Sequence, residues 1–220
     1  AQAAKGTVYA APAEVQLSLA EEITRRVPSM QRVRFTTSGT EAVMNALRVA
    51  RAFTGRSKFL KMEGGYHGSY DPVEISIAPG PDGPVWPAGE PDEIGLSPAL
   101  TDEVLVAPFN DLEATTSIIE RHHDELGGVI VEPLQRVVTP APGFLEALRQ
   151  VTARFGVPLI FDEVVTGFGR LGSMTGSAHY GIEPDLITIA KGLTSAYAPL
   201  SGSVLGDKMW KVLEQGTDEN

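Results

Sequence analysis

The chain has 220 residues, 42% of them apolar, and a formal net charge of −10. That length buries one sizeable core, so one domain is the default. The acidic balance, with no block of Lys or Arg, excludes nucleic acid and an anionic membrane surface as partners. The absence of cysteine removes disulfides, thiolate metal sites and cysteine nucleophiles, and no apolar run approaches the ~18 residues that span a membrane. No signal peptide is visible, so a cytoplasmic location is expected.

Val15, Leu19, Ile23 and Val27, every four residues, predict a helix over 13–27 with Pro28 as its stop. A short strand is expected over 32–37. A second helix follows over 40–53, where Val43, Ala46, Leu47 and Ala50 form one apolar face, and a strand over 58–63. Residues 79–98 are dense in proline and glycine (Pro79, Gly80, Pro81, Gly83, Pro84, Pro87, Gly89, Pro91), and predict a long irregular excursion, functional or solvent-draped. Strand 104–107, a helix capped by Asp111 and running to His122, and strand 127–132 continue the alternation. Phe144, Leu148, Val151 and Phe155 line one helix face. A strand over 157–162, a Gly-rich turn, a short helix over 173–180 and a strand over 187–190 complete it. From Glu214 onward there is no apolar periodicity, and no closing element is expected. Short apolar strands alternating with helices predict an α/β fold, a mostly parallel sheet covered by helices on both faces.

Such sheets bind ligands at the carboxyl ends of their strands. Lys191 arrives at the end of one strand, and Asp162, 29 residues earlier, ends another. A lysine placed there is costly to desolvate, which a covalent partner would resolve; the plainer alternative is a lysine that snorkels to water. An amine and a carboxylate at neighbouring strand ends suit pyridoxal phosphate, whose aldehyde needs a lysine and whose ring nitrogen needs an acid. Ser38-Gly39-Thr40 joins a strand to a helix and reads either as a phosphate seat or as an ordinary capped helix start. Within Gly64-Gly65-Tyr66-His67-Gly68, Tyr66 is either a ring that stacks on a flat cofactor or half-buried packing, and His67 suits a structural hydrogen bond. Glu132-Pro133-Leu134-Gln135 puts a carboxylate and an amide on the same rim, or simply ends a strand. Glu163, beside Asp162, is expected to point away from the site. No metal site is expected, since neither His67 nor the His122-His123 pair has ligand spacing.

Together these segments resemble the class III, ornithine-aminotransferase-like branch of fold type I pyridoxal-phosphate enzymes. Ser38-Gly39-Thr40-Glu41-Ala42, Tyr66-His67-Gly68, Glu132-Pro133-Leu134-Gln135, Phe161-Asp162-Glu163-Val164 and Ile189-Ala190-Lys191-Gly192 stand in that family's order and spacing. The resemblance implies that Gly39 and Thr40, with Ser38, bind the phosphate of pyridoxal 5'-phosphate. It also implies that Tyr66 and Val164 cover the two ring faces, that Asp162 meets the ring nitrogen, and that Lys191 condenses with the aldehyde. His67, Glu132 and Gln135 would lie beside the cofactor or substrate, and Tyr9 would face the substrate. Partners would be a small amino donor and an oxo acceptor, with a homodimer as the assembly.

Arg136 stands where the family commonly has a small residue. Up to about Val165 the chain is most similar to glutamate-1-semialdehyde aminomutases, and from Gly167 to Ser201 to omega-amino-acid:pyruvate aminotransferases. The family has a segment before Ala1 and a small domain after Asn220, so this chain is expected to be a fragment. Residues 1–12 would lead into the cofactor domain, and 13–220 would be an incomplete large domain. A catalytically silent cofactor-binding module, and a decarboxylase or racemase of the same fold, remain alternatives. A nucleotide-binding domain is disfavoured by the lack of G-x-G-x-x-G after the first strand.

Overall fold

The computed structural model describes residues 13–78 and 85–217. Tyr9 and the rest of 1–12, residues 79–84 of the excursion and residues 218–220 lie outside them. In chain order the elements are α1 (Glu14–Arg26), β1 (Arg32–Thr36), α2 (Gly39–Thr54), β2 (Lys58–Met62), β3 (Val104–Ala107), α3 (Leu112–His122), β4 (Leu126–Val131), α4 (Phe144–Arg154), β5 (Leu159–Asp162), α5 (Gly176–Tyr180), β6 (Leu186–Ile189), β7 (Ser201–Leu205) and α6 (Asp207–Thr217).

Seven strands form one sheet in the order β1-β7-β6-β5-β4-β2-β3. All neighbours from β6 to β3 are parallel, and β7 is antiparallel to both β6 and β1. The runs Val-Leu-Val-Ala, Leu-Ile-Phe-Asp and Leu-Ile-Thr-Ile are buried at every position, because helices cover both faces and leave neither side of these strands to water. Side chains alternate across the sheet, so Leu60, Val129, Leu159 and Ile187 meet α3 and α4 through Ile119, Phe144 and Leu148. Phe59, Val106, Ile130 and Ile160 meet α2 on the other face through Val43, Ala46, Leu47 and Ala50.

α1 forms where its spacing predicts, with Val15 exposed and Ile23 and Val27 buried against the sheet. One expectation, that no closing element follows Glu214, needs correction. Beyond Lys191 the chain adds β7 and α6, and Glu214–Thr217 continue a helix. The residues anchoring that helix, Met209, Trp210 and Leu213, precede the stretch that lacks periodicity. β7 hides in the polar-looking Ser-Gly-Ser-Val-Leu because its serines hydrogen-bond where apolar side chains would otherwise pack. Ser201 donates to Ser38 O at 2.7 Å and Ser203 to Ala42 O at 2.6 Å, tying the start of α2 to the sheet.

The described part of the excursion, 85–98, is mostly exposed and is tied to the segment before it at Asp92. Asp92 accepts from the amides of Ile77 (2.6 Å) and Ala78 (2.8 Å), and the fully buried Lys61 donates its ammonium to Ile75 O. Among the described residues no helix is long and apolar enough to cross a membrane.

Candidate active site

The carboxyl ends of β2, β4, β5 and β6 and the amino end of α2 enclose a cleft of about 220 Å³. Gly39, Thr40, Tyr66, His67, Glu132, Asp162, Val164 and Lys191 all line it, with Gly68, Val165 and Ala190. Each is delivered by the end of a strand or by the start of a helix, as the parallel order requires.

Asp162 closes β5 and is buried. Its Oδ2 lies 2.8 Å from His67 Nδ1, while its Oδ1 accepts from Thr188 Oγ1 (2.9 Å) and from the Val164 amide (3.2 Å). Three donors converge on one carboxylate and hold it at one orientation. Thr188 was not legible as a site residue. It faces Asp162 only because β6 lies beside β5 in that register.

The adjacent Glu163 points the other way, as alternation requires. It accepts from the amides of Gly176 and Ser177, both at 2.6 Å, and from the Thr166 hydroxyl, closing the Gly-rich turn on itself. Burial pushes its carboxyl above the usual range, against these hydrogen bonds.

Glu132 follows β4 and accepts from the Tyr66 amide at 3.0 Å. Burial pushes its carboxyl up, opposed chiefly by His67. Tyr66 stands at the mouth and is 42% exposed. Lys191 opens a 3-10 turn directly after β6 and is exposed, so the desolvation expected from its strand-end position is absent in this chain.

At the opposite wall α2 begins with Gly39 and Thr40. A Cβ on Gly39 would sit 3.2 Å from Val164 Cγ2, so a side chain there would crowd that wall. Thr40 Oγ1 accepts from the Ser69 amide at 3.1 Å. Gly68, at φ +95°, passes so close that a Cβ would lie 2.4 Å from that hydroxyl oxygen.

Two of the expected site residues do not line the cleft. Ser38 is the N-cap of α2: its Oγ accepts from the Glu41 amide at 3.2 Å, and Glu41 returns a bond to the Ser38 amide at 2.9 Å. The ordinary reading of Ser38 therefore describes its side chain. Gln135 lies behind the Gly64–Gly65 turn and donates Nε2 to Glu63 O at 2.7 Å. The chain reverses at Arg136 (φ +46°) and Val137 (φ +72°), closed by reciprocal backbone bonds between Gln135 and Val138. Non-glycine residues in this left-handed region are costly, and a glycine would relieve the turn.

Residues 1–219 match the family described as Aminotransferase class-III. The glutamate-1-semialdehyde 2,1-aminomutase of Methanosarcina acetivorans is 42% identical over 190 residues, covering 85% of this chain and 44% of that protein. Among solved structures, an omega-transaminase from Sphaerobacter thermophilus superposes with a TM-score of 0.86 at 42% identity, over 95% of this chain and 48% of that one. A glutamate-1-semialdehyde-aminomutase from Pseudomonas aeruginosa PAO1, in complex with PMP, superposes with a TM-score of 0.80 at 27% identity, over 96% and 46%. The chain thus spans under half the length of these relatives. With nearly every residue matched by the family and the same fold shared at 42% identity, the chain belongs to the class III aminotransferases.

Proposed function

We propose that residues 13–220 are the cofactor-binding large domain of a pyridoxal-phosphate-dependent aminotransferase, led into by residues 1–12. In this reading it moves an amino group between an amine or amino acid and an oxo acid or aldehyde. One observation carries the reading: the Lys191 amine and the buried Asp162 carboxylate sit past the ends of adjacent strands and open on one cleft.

The residues present fit the cofactor. The amino end of α2, with free backbone N–H groups at Gly39 and Thr40, suits a phosphate. Val164 and the half-exposed Tyr66 offer surfaces to a flat ring, and Asp162 offers an acceptor to a protonated ring nitrogen. When bound, pyridoxal 5'-phosphate supplies an aldehyde and an electron-accepting ring. Lys191 Nζ takes up and returns a proton at the substrate carbon, acting as general base and acid. His67 and Thr188 hold Asp162 in place. Ser38 serves by capping the helix that seats the phosphate, and Glu132 by fixing the Tyr66 backbone.

A glutamate-1-semialdehyde 2,1-aminomutase is the second reading. It is favoured by the identity with the Methanosarcina acetivorans relative. A homodimeric full-length protein, supported by family resemblance, belongs to the same proposal, as does a cytoplasmic location. The test is reduction of the chain with borohydride in the presence of pyridoxal phosphate, followed by mass mapping. A single adduct on Lys191, lost in Lys191→Ala, is expected. Labelling scattered over surface lysines would refute a self-sufficient site. Product analysis then separates the two activities, since a mutase returns an isomer and no free oxo acid.

A further inference from the structure

Phe168 is held at φ +60°, in the left-handed region that bulky side chains rarely adopt, between Gly167 and Gly169. Such a residue is fixed by what surrounds it, and backbone outliers of this kind gather at functional sites. The Phe168 amide donates to Met174 O at 2.7 Å and its side chain packs on the core, while the Gly167 amide donates to Glu163 O at 2.8 Å. A Cβ on Gly167 would lie 2.9 Å from that carbonyl oxygen, so the turn closes tightly on Glu163. The fully buried Glu163 carboxylate in turn accepts from Thr166, Gly176 and Ser177.

This turn lies against the residue that follows Lys191. A Cβ on Gly192 would sit 3.0 Å from Phe168 Cβ and 3.2 Å from Gly167 O. Gly192 is not in the left-handed region, so the glycine serves close approach and not backbone conformation. It is the middle residue of the 3-10 turn Lys191–Leu193, which Leu193 closes by donating its amide to Ala190 O at 2.7 Å. Lys191 is exposed, and among the described residues no hydrogen bond or ion pair holds its ammonium. Its direction is set by its backbone, and that backbone rests on Phe168.

We propose that Phe168 is a positioning residue for Lys191, and that the turn anchored on Glu163 is the abutment on which the lysine's 3-10 turn is seated. The proposal rests on the role given to Lys191 above. It accounts for a bulky residue held where glycine is at ease: the same contact that fixes Phe168 aims the amine into the cleft. A reacting group displaced by about 1 Å loses up to about 100-fold in rate.

The test reads Lys191 in two ways in the 220-residue chain. With saturating pyridoxal phosphate, borohydride quenching at intervals gives the rate of the Lys191 adduct, and absorbance titration gives the affinity. Without cofactor, 13C reductive methylation gives Lys191 methyl signals in NMR spectra, assigned by their loss in Lys191→Arg. Gly192→Ala is expected to slow the adduct at least about tenfold at saturation while affinity changes less than about threefold. It should also shift the Lys191 methyl signals and leave those of Lys58 and Lys208 in place. Adding Phe168→Gly removes the Cβ that opposes the new methyl, so the double variant should regain part of the rate. A wild-type rate in Gly192→Ala, rate and affinity falling together, or a double variant no faster than the single one overturns the proposal. Phe168→Ala keeps the Cβ but loses the ring's hold on the core, and should shift the Lys191 signals too. Unchanged signals there overturn the proposal even if Gly192→Ala fails to fold. Wild-type chain that forms no Lys191 adduct would refute the function proposed above, and the methyl signals would still decide the positioning.

Discussion

Lys61 offers a test of the packing that needs no cofactor. It is fully buried on β2, on the face that carries Phe59, and burial pushes its ammonium down from 10.5 to about 8, opposed by Asp92, Glu63 and Glu132. At about 1.4 kcal/mol per tenfold change in proton affinity, that displacement corresponds to about 3 kcal/mol against the charged form in the fold. The sign follows from proton counting. Below about pH 8 the folded and unfolded chains are both charged at Lys61, and the whole penalty is present. Between about 8 and 10.5 the unfolded chain binds more protons, so stability rises with pH until the penalty is gone.

Lys61→Met removes the titration but leaves the Ile75 carbonyl without its donor, which costs about 1–3 kcal/mol. At pH 7 these effects nearly cancel or favour the variant. Chemical denaturation of both proteins at intervals from pH 7 to 10.5 reads the difference, because all other titrating groups cancel in it. The wild type should gain about 3 kcal/mol relative to Lys61→Met across that range. A difference that stays flat with pH would refute the buried charged lysine.

Glu163→Ala should lower unfolding stability by about 2–4 kcal/mol, read by the same method, because the buried amides of Gly176 and Ser177 lose their acceptor. A change under about 0.5 kcal/mol would mean that the Gly-rich turn closes without it. Gly68→Ala drives a Cβ into Thr40, whose backbone Cα would be 2.8 Å away, so the start of α2 must shift. Pyridoxal phosphate affinity, read by absorbance titration, should fall at least about tenfold, and unchanged affinity would argue against the phosphate seat. Asp162→Asn turns an amide toward donors that now find a carboxylate. Turnover should drop at least about 100-fold while the Lys191 adduct still forms; wild-type turnover would remove Asp162 from the mechanism.

Local sequence was sufficient for whatever depends on one segment at a time. The parallel strands are legible because a strand covered on both faces is mostly apolar, and Val104–Ala107, Leu159–Asp162 and Leu186–Ile189 are, apart from Asp162 and Thr188. Ends of such strands carry the ligand-facing residues, so Asp162, Lys191, Glu132 and the Gly64–Gly68 turn could be nominated before any geometry was known.

What the tertiary structure decided is which elements lie side by side. Thr188 supports Asp162 only through the β5–β6 register, and β7 is a strand because it pairs with β1 and β6, with Ser201 and Ser203 bonded to carbonyls of the α2 region. Ser38 could cap a helix or hold an anion from sequence alone, and the fold shows its hydroxyl capping α2 with Glu41. Gln135 belongs behind the turn rather than in the cleft because the reversal at Arg136 and Val137 sends its amide to Glu63. Burial periodicity is written along the chain, whereas hydrogen-bond partners far apart in sequence are chosen only when the sheet assembles. For that reason the strand ends could be named from the sequence and the network joining them could not.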